Sequence, residues 1–497
     1  MSKTVGGLQR IESGVPRLDY ILKGGFIVGG TYTIIGPPGS GKTVFANQTC
    51  FNHIRRSRGR CLYFTLLAET HGKMLRHMST MSFFDAAAIP ANLNYVSGYK
   101  ALKEGGLRGL LELIRKLLKE QRPTLMVIDG LHVAQKCSKD THDFDEFLHD
   151  LQSFASITET TSLLLSPSGK QPSGDVAEHV VVDGIIELSY ELFGPRAVRE
   201  LTVHKFRGTD FLLGKHEVEI NADGVQIHPR TEIQFDEPPE AATEARIRMP
   251  FGVEQLDAML KGGLLSGTTT TLLGSPGTGK TMLGLSFLAE GARVGQKGVY
   301  FGFYEPPPRL IEKAERVGIP LKKYVKKGLI ELIWQPPLEH FMDALAEQLL
   351  ERLREDNRSQ KRRLFIDGVE GFRAASVYAD RMPRFLSAFS NQLRMLDVTT
   401  VISEELDLFK PEVDMPNPEM ATVNEGVILL RYVEMGSGIH RLISILKMRE
   451  SAYDTSICDF EITDEGIVVK GPFDDEGVLS GKPQLLAGKA SIKKGGR

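Results

Sequence analysis

Hydrophobic residues along this chain alternate between short continuous runs and longer helical patterns. Four continuous runs in the first half predict strands: 31–35, 61–67, 124–129 and 162–165. Amphipathic patterns at 106–120 and 144–155 predict helices. Apolar strands separated by such helices are typical of a parallel sheet covered on both faces. Two later runs, 198–206 and 216–220, look linked as hairpins and predict an antiparallel extension at the sheet edge.

The second half of the chain repeats the pattern of the first. Residues 14–26 (GVPRLDYILKGGF) match residues 252–264 (GVEQLDAMLKGGL) at a separation of 238 positions (252 − 14). A chain of 497 residues is too long for one ordinary core. A repeat of this length indicates tandem domains rather than a solenoid, whose repeats are shorter.

The predicted domain organisation follows from the repeat and from a change in composition between the halves. The stretch around 231–247 is rich in Glu, Pro and Ala and weak in periodicity, which favours a linker. We therefore expect one domain at 1–230 and a second at 248–473. Glycines and lysines after position 473 predict a flexible basic tail at 474–497.

Each half contains one glycine-rich loop that fits G-x-x-x-x-G-K-[ST] between a predicted strand and a predicted helix. The loops read GPPGSGKT at 36–43 and GSPGTGKT at 274–281. Such a loop points successive backbone N–H groups at phosphate oxygens, and the helix that follows adds its positive end. The predicted nucleotide-binding residues are Gly36, Gly39, Ser40, Gly41, Lys42, Thr43, Gly274, Gly277, Thr278, Gly279, Lys280 and Thr281. Both domains are thus predicted to be α/β P-loop NTPase domains that bind ATP.

Magnesium ligands are predicted next to each loop. The hydroxyls of Thr43 and Thr281 are placed to contact Mg²⁺. Asp129 and Asp367 end apolar strands at equivalent places of the repeat, where a Walker B carboxylate belongs. A glycine follows each aspartate, so a capping role in the next turn is the alternative interpretation. Their positions in the repeat favour the metal.

Two further groups of residues are candidates for catalysis. Glu69 and Glu305 follow the second strand of their halves, where a carboxylate can orient the attacking water; the alternative is a glutamate that starts a helix. The KxR pairs, Lys205 with Arg207 and Lys447 with Arg449, fall on late strand-like segments. Residues two apart on a strand share a face, so each pair could reach a neighbouring subunit's γ-phosphate. Charges that block a sheet edge are the alternative.

Composition limits the cellular compartments and the binding partners that we expect for this protein. Formal net charge is −2, which gives no general indication of nucleic acid or of an acidic membrane. No apolar run is long enough to span a bilayer, and the first ten residues lack a signal-peptide core, so we expect a cytoplasmic protein. No Cys/His grouping has the spacing of a zinc site; the four cysteines are Cys50, Cys61, Cys137 and Cys458.

The combined motifs resemble the KaiC family of RecA-like ATPases. The resemblance rests on GV..LD..LKGG before each loop, on the tandem loops and Walker B strands, and on KFRGT and KMRES late in the halves. It implies two RecA-like domains, each a mostly parallel sheet sandwiched by helices. It also implies a homohexameric double ring with ATP between adjacent subunits and slow hydrolysis in the N-terminal ring. In clock members it implies serine/threonine autophosphorylation in the C-terminal ring.

The chain departs from that family at two places. Where the family has two adjacent glutamates, this sequence has Ala68-Glu69 and Glu305-Pro306, so each site keeps one. Where the family has adjacent Ser and Thr acceptors, it has Ala421-Thr422. Thr422 is then the candidate phosphoacceptor, with a threonine that simply starts a strand as the alternative.

The sequence supports three hypotheses. The first is a hexameric Mg²⁺-dependent ATPase, with autokinase activity left open, that responds to a regulatory protein partner of unknown identity. The second is a RecA-type DNA motor, which needs a basic, aromatic channel and is disfavoured by the neutral charge balance. The third is an ATP-binding scaffold with little turnover, which the missing glutamates keep open.

Overall fold

The structure, a computed structural model, describes nine stretches of the chain: 3–5, 7–67, 71–167, 181–234, 246–336, 340–355, 362–406, 424–435 and 438–472. They belong to two compact units, Met1–Gln234 and Phe235–Arg497. The predicted tail at 474–497 and residues 235–245 of the predicted linker lie outside the described residues.

The first unit is an α/β domain. Its strands are β1 (Lys3–Val5), β2 (Leu8–Ile11), β3 (Phe26–Ile27), β4 (Thr31–Ile35), β5 (Cys61–Thr65), β6 (Leu93–Ser97), β7 (Leu125–Asp129), β8 (Thr161–Ser166), β9 (Gly184–Phe193), β10 (Arg196–Phe206), β11 (Lys215–Asn221) and β12 (Gly224–His228). Its helices are α1 (Leu18–Ile21), α2 (Lys42–Ser57), α3 (His71–Met78), α4 (Tyr99–Gln121), α5 (Leu131–Lys136) and α6 (Thr141–Ile157).

The second unit repeats this layout. Its strands are β13 (Arg248–Met249), β14 (Leu264–Leu265), β15 (Thr269–Gly274), β16 (Lys297–Gly302), β17 (Ile330–Trp334), β18 (Arg362–Asp367), β19 (Val398–Glu405), β20 (Gly426–Met435), β21 (Gly438–Met448), β22 (Cys458–Thr463) and β23 (Gly466–Pro472). Its helices are α7 (Glu254–Met259), α8 (Lys280–Arg293), α9 (Pro307–Arg316), α10 (Leu321–Lys326), α11 (Met342–Glu355), α12 (Glu370–Ala375) and α13 (Met382–Met395).

Each unit is organised around a nine-stranded sheet with the same strand order. The first runs β6-β5-β7-β8-β4-β9-β10-β11-β12, and the second runs β17-β16-β18-β19-β15-β20-β21-β22-β23. The strands up to β9 and β20 pair in parallel, and the last three strands add in antiparallel fashion. This confirms two RecA-like domains, and it confirms the antiparallel extension at the sheet edge.

The core explains why the central strands are continuously apolar. Every residue of β4, β5 and β7 is buried, because helices and their side chains pack on both faces of the sheet. The second sheet likewise has apolar clusters packed on both faces. Within the described stretches, the longest helices are too short or too polar to cross a bilayer.

One predicted helix differs from its sequence pattern. The amphipathic pattern predicts a helix from 106 to 120, whereas α4 begins seven residues earlier and continues through Gly106. At Gly106 the backbone leaves the helical region (φ 63°, ψ −157°), so α4 consists of two helical segments joined at that glycine. The periodicity identified only the second segment, whose apolar face packs on the sheet.

Candidate nucleotide-binding sites

The first phosphate loop connects the central strand β4 to α2. Gly39 and Gly41 adopt positive φ angles of 82° and 101°, which glycine permits without a Cβ clash. The Lys42 ammonium donates to the carbonyl oxygens of Gly36 (2.6 Å) and Pro37 (3.0 Å). The predicted residues Gly36, Ser40 and Thr43 lie on the same loop, and the Ser40 hydroxyl is buried without a hydrogen-bond partner among the described residues.

The second loop, between β15 and α8, repeats this geometry. Lys280 donates to the carbonyls of Gly274 (2.7 Å) and Ser275 (3.0 Å), and the Thr278 hydroxyl donates to Ser275 at 2.8 Å. Burial lowers the pKa of both loop lysines, Lys42 and Lys280. The charges of nearby carboxylates, Asp129 for Lys42 and Asp367 for Lys280, oppose this shift without removing it, so each partly buried ammonium favours a further anionic partner.

The two predicted metal-binding pairs are brought together. The Thr43 hydroxyl donates to Asp129 Oδ2 at 3.2 Å, and the Thr281 hydroxyl donates to Asp367 Oδ1 at 3.3 Å. A tyrosine from the neighbouring strand donates to each carboxylate: Tyr63 to Asp129 at 2.9 Å, and Tyr300 to Asp367 at 3.1 Å. Burial raises the pKa of both aspartates in spite of these donors.

These pairs fit a magnesium ion in its usual protein setting. Mg²⁺ keeps several waters and takes one or two carboxylates together with substrate phosphates, rather than a cage of protein ligands. In the stretches that the structure describes, no group of three or more His, Cys, Asp or Glu side chains could hold a metal ion. A raised aspartate pKa marks a carboxylate whose charge is poorly solvated, which a cation would relieve.

Each loop opens into a cavity, and the two cavities differ at their rims. The first, of about 460 Å³, is bordered beyond the loop by Leu67, His132, Pro167 and Arg199. The second, of about 550 Å³, has carboxylates as well as cations at its rim, among them Glu305, Lys313 and Glu405. The two loops therefore have the same geometry but border two chemically different cavities.

Glu305 lies in the second cavity together with Lys280, Thr281 and Asp367. Its Oε1 accepts from the Lys313 ammonium, and its Oε2 is buried without a partner among the described residues. Sequence reasoning placed Glu69 in the equivalent role, and that residue lies outside the described residues.

Strand register shows that the two glutamates are not equivalent in position. Thr65 pairs with Asp129 across the first sheet, and Gly302 pairs with Asp367 across the second. Three residues further along the chain come Ala68 in the first half and Glu305 in the second. Glu69 therefore corresponds to Pro306.

The KxR pairs lie at the ends of β10 and β21. Lys205 and Lys447 are half-buried near the last residues of these strands, whereas Arg207 and Arg449 are exposed and come one residue after the strands end. The strand ends between the two members of each pair, so the shared strand face stays a prediction. Among the described residues, neither pair borders the cavity of its own unit.

One acidic residue connects each KxR pair to the strand that precedes the phosphate loop. The Asp183 carboxylate accepts the N–H of Thr31, the first residue of β4, at 2.9 Å, while the Asp183 carbonyl accepts the N–H of Arg207 at 2.7 Å. In the second unit Glu425 does the same for Thr269 (2.8 Å) and Arg449 (2.7 Å). We did not predict these acids from the sequence.

Sequence reasoning also missed three hydroxyls around the aspartates. Tyr63 and Tyr300 occupy the same place in the repeated runs LYF and VYF, which could have identified them. Ser403 donates to Asp367 Oδ1 at 2.9 Å and accepts the N–H of Gly368 at 2.8 Å. The first unit has no hydroxyl at the equivalent position, because the residue of β8 in the matching register is Leu165.

Comparison with known proteins agrees with this architecture. The sequence model of the family described as "ATPase: KaiC" matches residues 11–232 and 249–473. A circadian clock oscillator protein KaiC from Parathermosynechococcus lividus is 24% identical over 493 residues, covering 97% of this chain and 89% of that protein. The oscillator protein KaiC of a Picosynechococcus species (25%; 97% and 94% covered) and the circadian clock protein KaiC3 of a Synechocystis species (25%; 97% and 96%) are similarly related.

Proposed function

Because the chain belongs to the KaiC family of ATPases, we propose that it binds Mg²⁺-ATP at both phosphate loops and hydrolyses it. The observation that carries the proposal is the meeting of Lys280, Thr281, Asp367 and Glu305 around one cavity. This set contains a cation for the phosphates, a hydroxyl and a carboxylate for the metal, and a second carboxylate for water. Since ATP is abundant inside cells, the proposal places the protein in the cytoplasm.

The residues of the second site have separate tasks in this proposal. Backbone N–H groups of 274–281 and the Lys280 ammonium bind the β- and γ-phosphates. Thr281 and Asp367 hold Mg²⁺, which when bound neutralises charge that develops on the phosphates. Tyr300 and Ser403 fix the Asp367 carboxylate by donating to its two oxygens. In the first site Lys42, Thr43, Asp129 and Tyr63 perform the corresponding tasks.

Glu305 orients the attacking water in the second site. The water donates a hydrogen bond to Oε2, the oxygen without a described partner, and its own oxygen attacks the γ-phosphorus. The bond from that phosphorus to the leaving ADP oxygen breaks, and the water proton passes to the carboxylate or to the released phosphate. For the first site we propose that Glu69 assists water, which its different position in the repeat makes a separate question for experiment.

Phosphate release from ATP tests the proposal on the full chain. We expect Lys280→Ala to abolish ATP binding at the second site and Lys42→Ala to abolish it at the first. Glu305→Gln should keep ATP binding and lower second-site turnover at least ~100-fold, the usual contribution of a general base. Glu69→Gln is the matched variant for the first site. Full activity of Glu305→Gln in a Lys42→Ala background would remove Glu305 from the mechanism.

Assembly into a homohexamer is part of the proposal. The exposed Arg207 and Arg449 are not among the described residues that border the cavity of their own unit, and we propose that they contact a neighbouring subunit's nucleotide. Native mass spectrometry with and without ATP tests the hexamer. Arg449→Ala should then lower turnover and leave ATP binding intact, since an arginine finger acts on the transition state.

Two finer roles are proposed on the family relationship. The first is autophosphorylation of Thr422, which lies outside the described residues; a phosphopeptide containing Thr422 after incubation with Mg²⁺-ATP tests it, with Thr422→Ala as control. The second is regulation of a protein partner by the nucleotide state of the rings. Pull-down with Glu305→Gln held in its ATP-bound form, compared with Lys280→Ala, tests this role.

A further inference from the structure

Lys313 makes a contact with Glu305 that the proposed hydrolysis does not yet explain. Its ammonium donates to Oε1 of Glu305, so the two carboxylate oxygens have different surroundings: one is held and the other is buried without a described partner. Both residues border the second cavity. The Glu305 side chain is 26% exposed and Lys313 41%, so the pair stands at the cavity rim rather than in bulk solvent.

Helix α9 directs Lys313 back toward this carboxylate. Glu305 precedes the helix, Pro306 is its N-cap, and two prolines occupy its first positions. Side chains on a helix tilt toward its N-terminus, so a long lysine further along α9 reaches the residue before the helix. The adjacent Glu312 turns away and pairs with Arg316.

Several negatively charged side chains border the cavity, and Lys313 lies among them. Asp367 and Glu405 also border the cavity, and Tyr300, which donates to Asp367, is close enough to feel the charges of both Asp367 and Glu305. Like charges repel, so a carboxylate held near other carboxylates is stabilised in place by a cation that contacts it. Among the cations that the structure describes at this cavity, Lys280 donates to the loop carbonyls, Arg316 pairs with Glu312, and Lys313 contacts Glu305.

We propose that Lys313 is a positioning residue of the second site: by holding Oε1 it aims Oε2 of Glu305 at the attacking water. This inference rests on the proposed hydrolysis at that site. It predicts that loss of the ammonium slows the reaction without weakening ATP binding, because Lys313 acts through Glu305.

The test measures kcat and KM for phosphate release by the full chain in a Lys42→Ala background. Lys313→Met keeps the side chain's length and removes its charge. We expect kcat to fall about 10- to 100-fold, the effect of a misplaced catalytic group, with KM within about twofold. Lys313→Arg should restore most of the activity. Lys326→Met, an exposed lysine on α10, is the matched control and should have no effect.

A double variant separates positioning from a merely structural role. Once Glu305→Gln has removed the carboxylate, adding Lys313→Met should cost nothing further, whereas independent effects would multiply. Unchanged kcat in Lys313→Met, a raised KM alone, or multiplying losses would overturn the inference. If Lys313→Met is misfolded by circular dichroism, Lys313→Gln takes its place. An inactive Glu305→Gln beside a fully active Lys313→Met refutes only this inference; a fully active Glu305→Gln refutes the proposed mechanism as well.

Discussion

The first residue of the phosphate loop is fixed by a close approach of two backbones. A Cβ added at Gly36 would lie 2.2 Å from the carbonyl oxygen of Leu188 on β9 and 2.6 Å from the Ser40 hydroxyl. Because β9 is hydrogen-bonded to β4, that carbonyl cannot turn away without disturbing the sheet. Gly39 differs, since a Cβ there would meet no described atom within 4 Å, and its constraint is the positive φ of 82°.

These two geometries give different costs for the same added methyl group. Overpacking destabilises most when the obstructing atom belongs to a fixed backbone. Gly36→Ala should therefore lower the free energy of unfolding of the first unit by about 3 kcal/mol or more. Gly39→Ala should cost about 1–2 kcal/mol, the penalty for an L-residue in the left-handed region. With a urea m-value of about 2 kcal/mol/M, the midpoints should fall by about 1.5 M and by about 0.5–1 M.

Urea unfolding without nucleotide, followed by far-ultraviolet circular dichroism, measures both variants. The one tryptophan of the sequence, Trp334, belongs to the second unit, so its fluorescence reports that unit separately and identifies which transition has moved. A midpoint for Gly36→Ala equal to or above that of Gly39→Ala would refute the steric reasoning.

Three further predictions concern the sites. Burial raises the pKa of Asp367 above its ordinary value of 3.8, so folding favours its protonated form and the metal-free chain loses stability as pH rises from 3.8 through the folded-state pKa. Asp367→Asn should therefore raise the melting temperature in EDTA more at pH 8 than near pH 3.8, and equal gains at the two pH values would contradict this. Tyr63→Phe removes a hydrogen-bond donor to the Asp129 carboxylate, so it should lower the free energy of unfolding, measured in urea, by about 1.5–3 kcal/mol. The control Tyr95→Phe removes a donor to the neutral Asn47 and should lower it by about 1 kcal/mol. Trp334 donates to the Phe303 carbonyl at 3.1 Å, two residues before Glu305, so Mg²⁺-ATP should change its emission in the parent chain and leave it unchanged in Lys280→Ala.

The parts of the site that depend on local sequence were predictable. A glycine-rich loop between an apolar strand and a helix defines its own backbone, and the carboxyl ends of parallel strands meet at one edge, which brought Asp129 to Thr43 and Asp367 to Thr281. The repeated strand pattern was sufficient to predict a mostly parallel sheet with an antiparallel extension, whereas the order of the strands came from the structure.

Contacts between distant segments were not predictable from these patterns. Glu425 reaches Thr269 of the second loop strand from 156 positions away along the chain, and Ser403 reaches Asp367 from 36 positions away. Nothing in the α9 sequence shows that Lys313 rather than Glu312 faces the cavity, since that depends on how the helix is rotated against the sheet. The end of β10 before Arg207 likewise depends on pairing with β9, which no single-strand pattern contains.

In each domain, one acidic residue, Asp183 or Glu425, connects the exposed arginine of the KxR pair to the central strand of the sheet. One residue accepts from the strand that carries the phosphate loop and from the arginine at the end of β10 or β21, over distances of 2.7–2.9 Å. In the proposed ring, a neighbouring subunit that binds the arginine would transmit force to the start of the loop strand through two hydrogen bonds and one side chain. Strain between subunits would then reach the proposed triphosphate site without any loop having to refold.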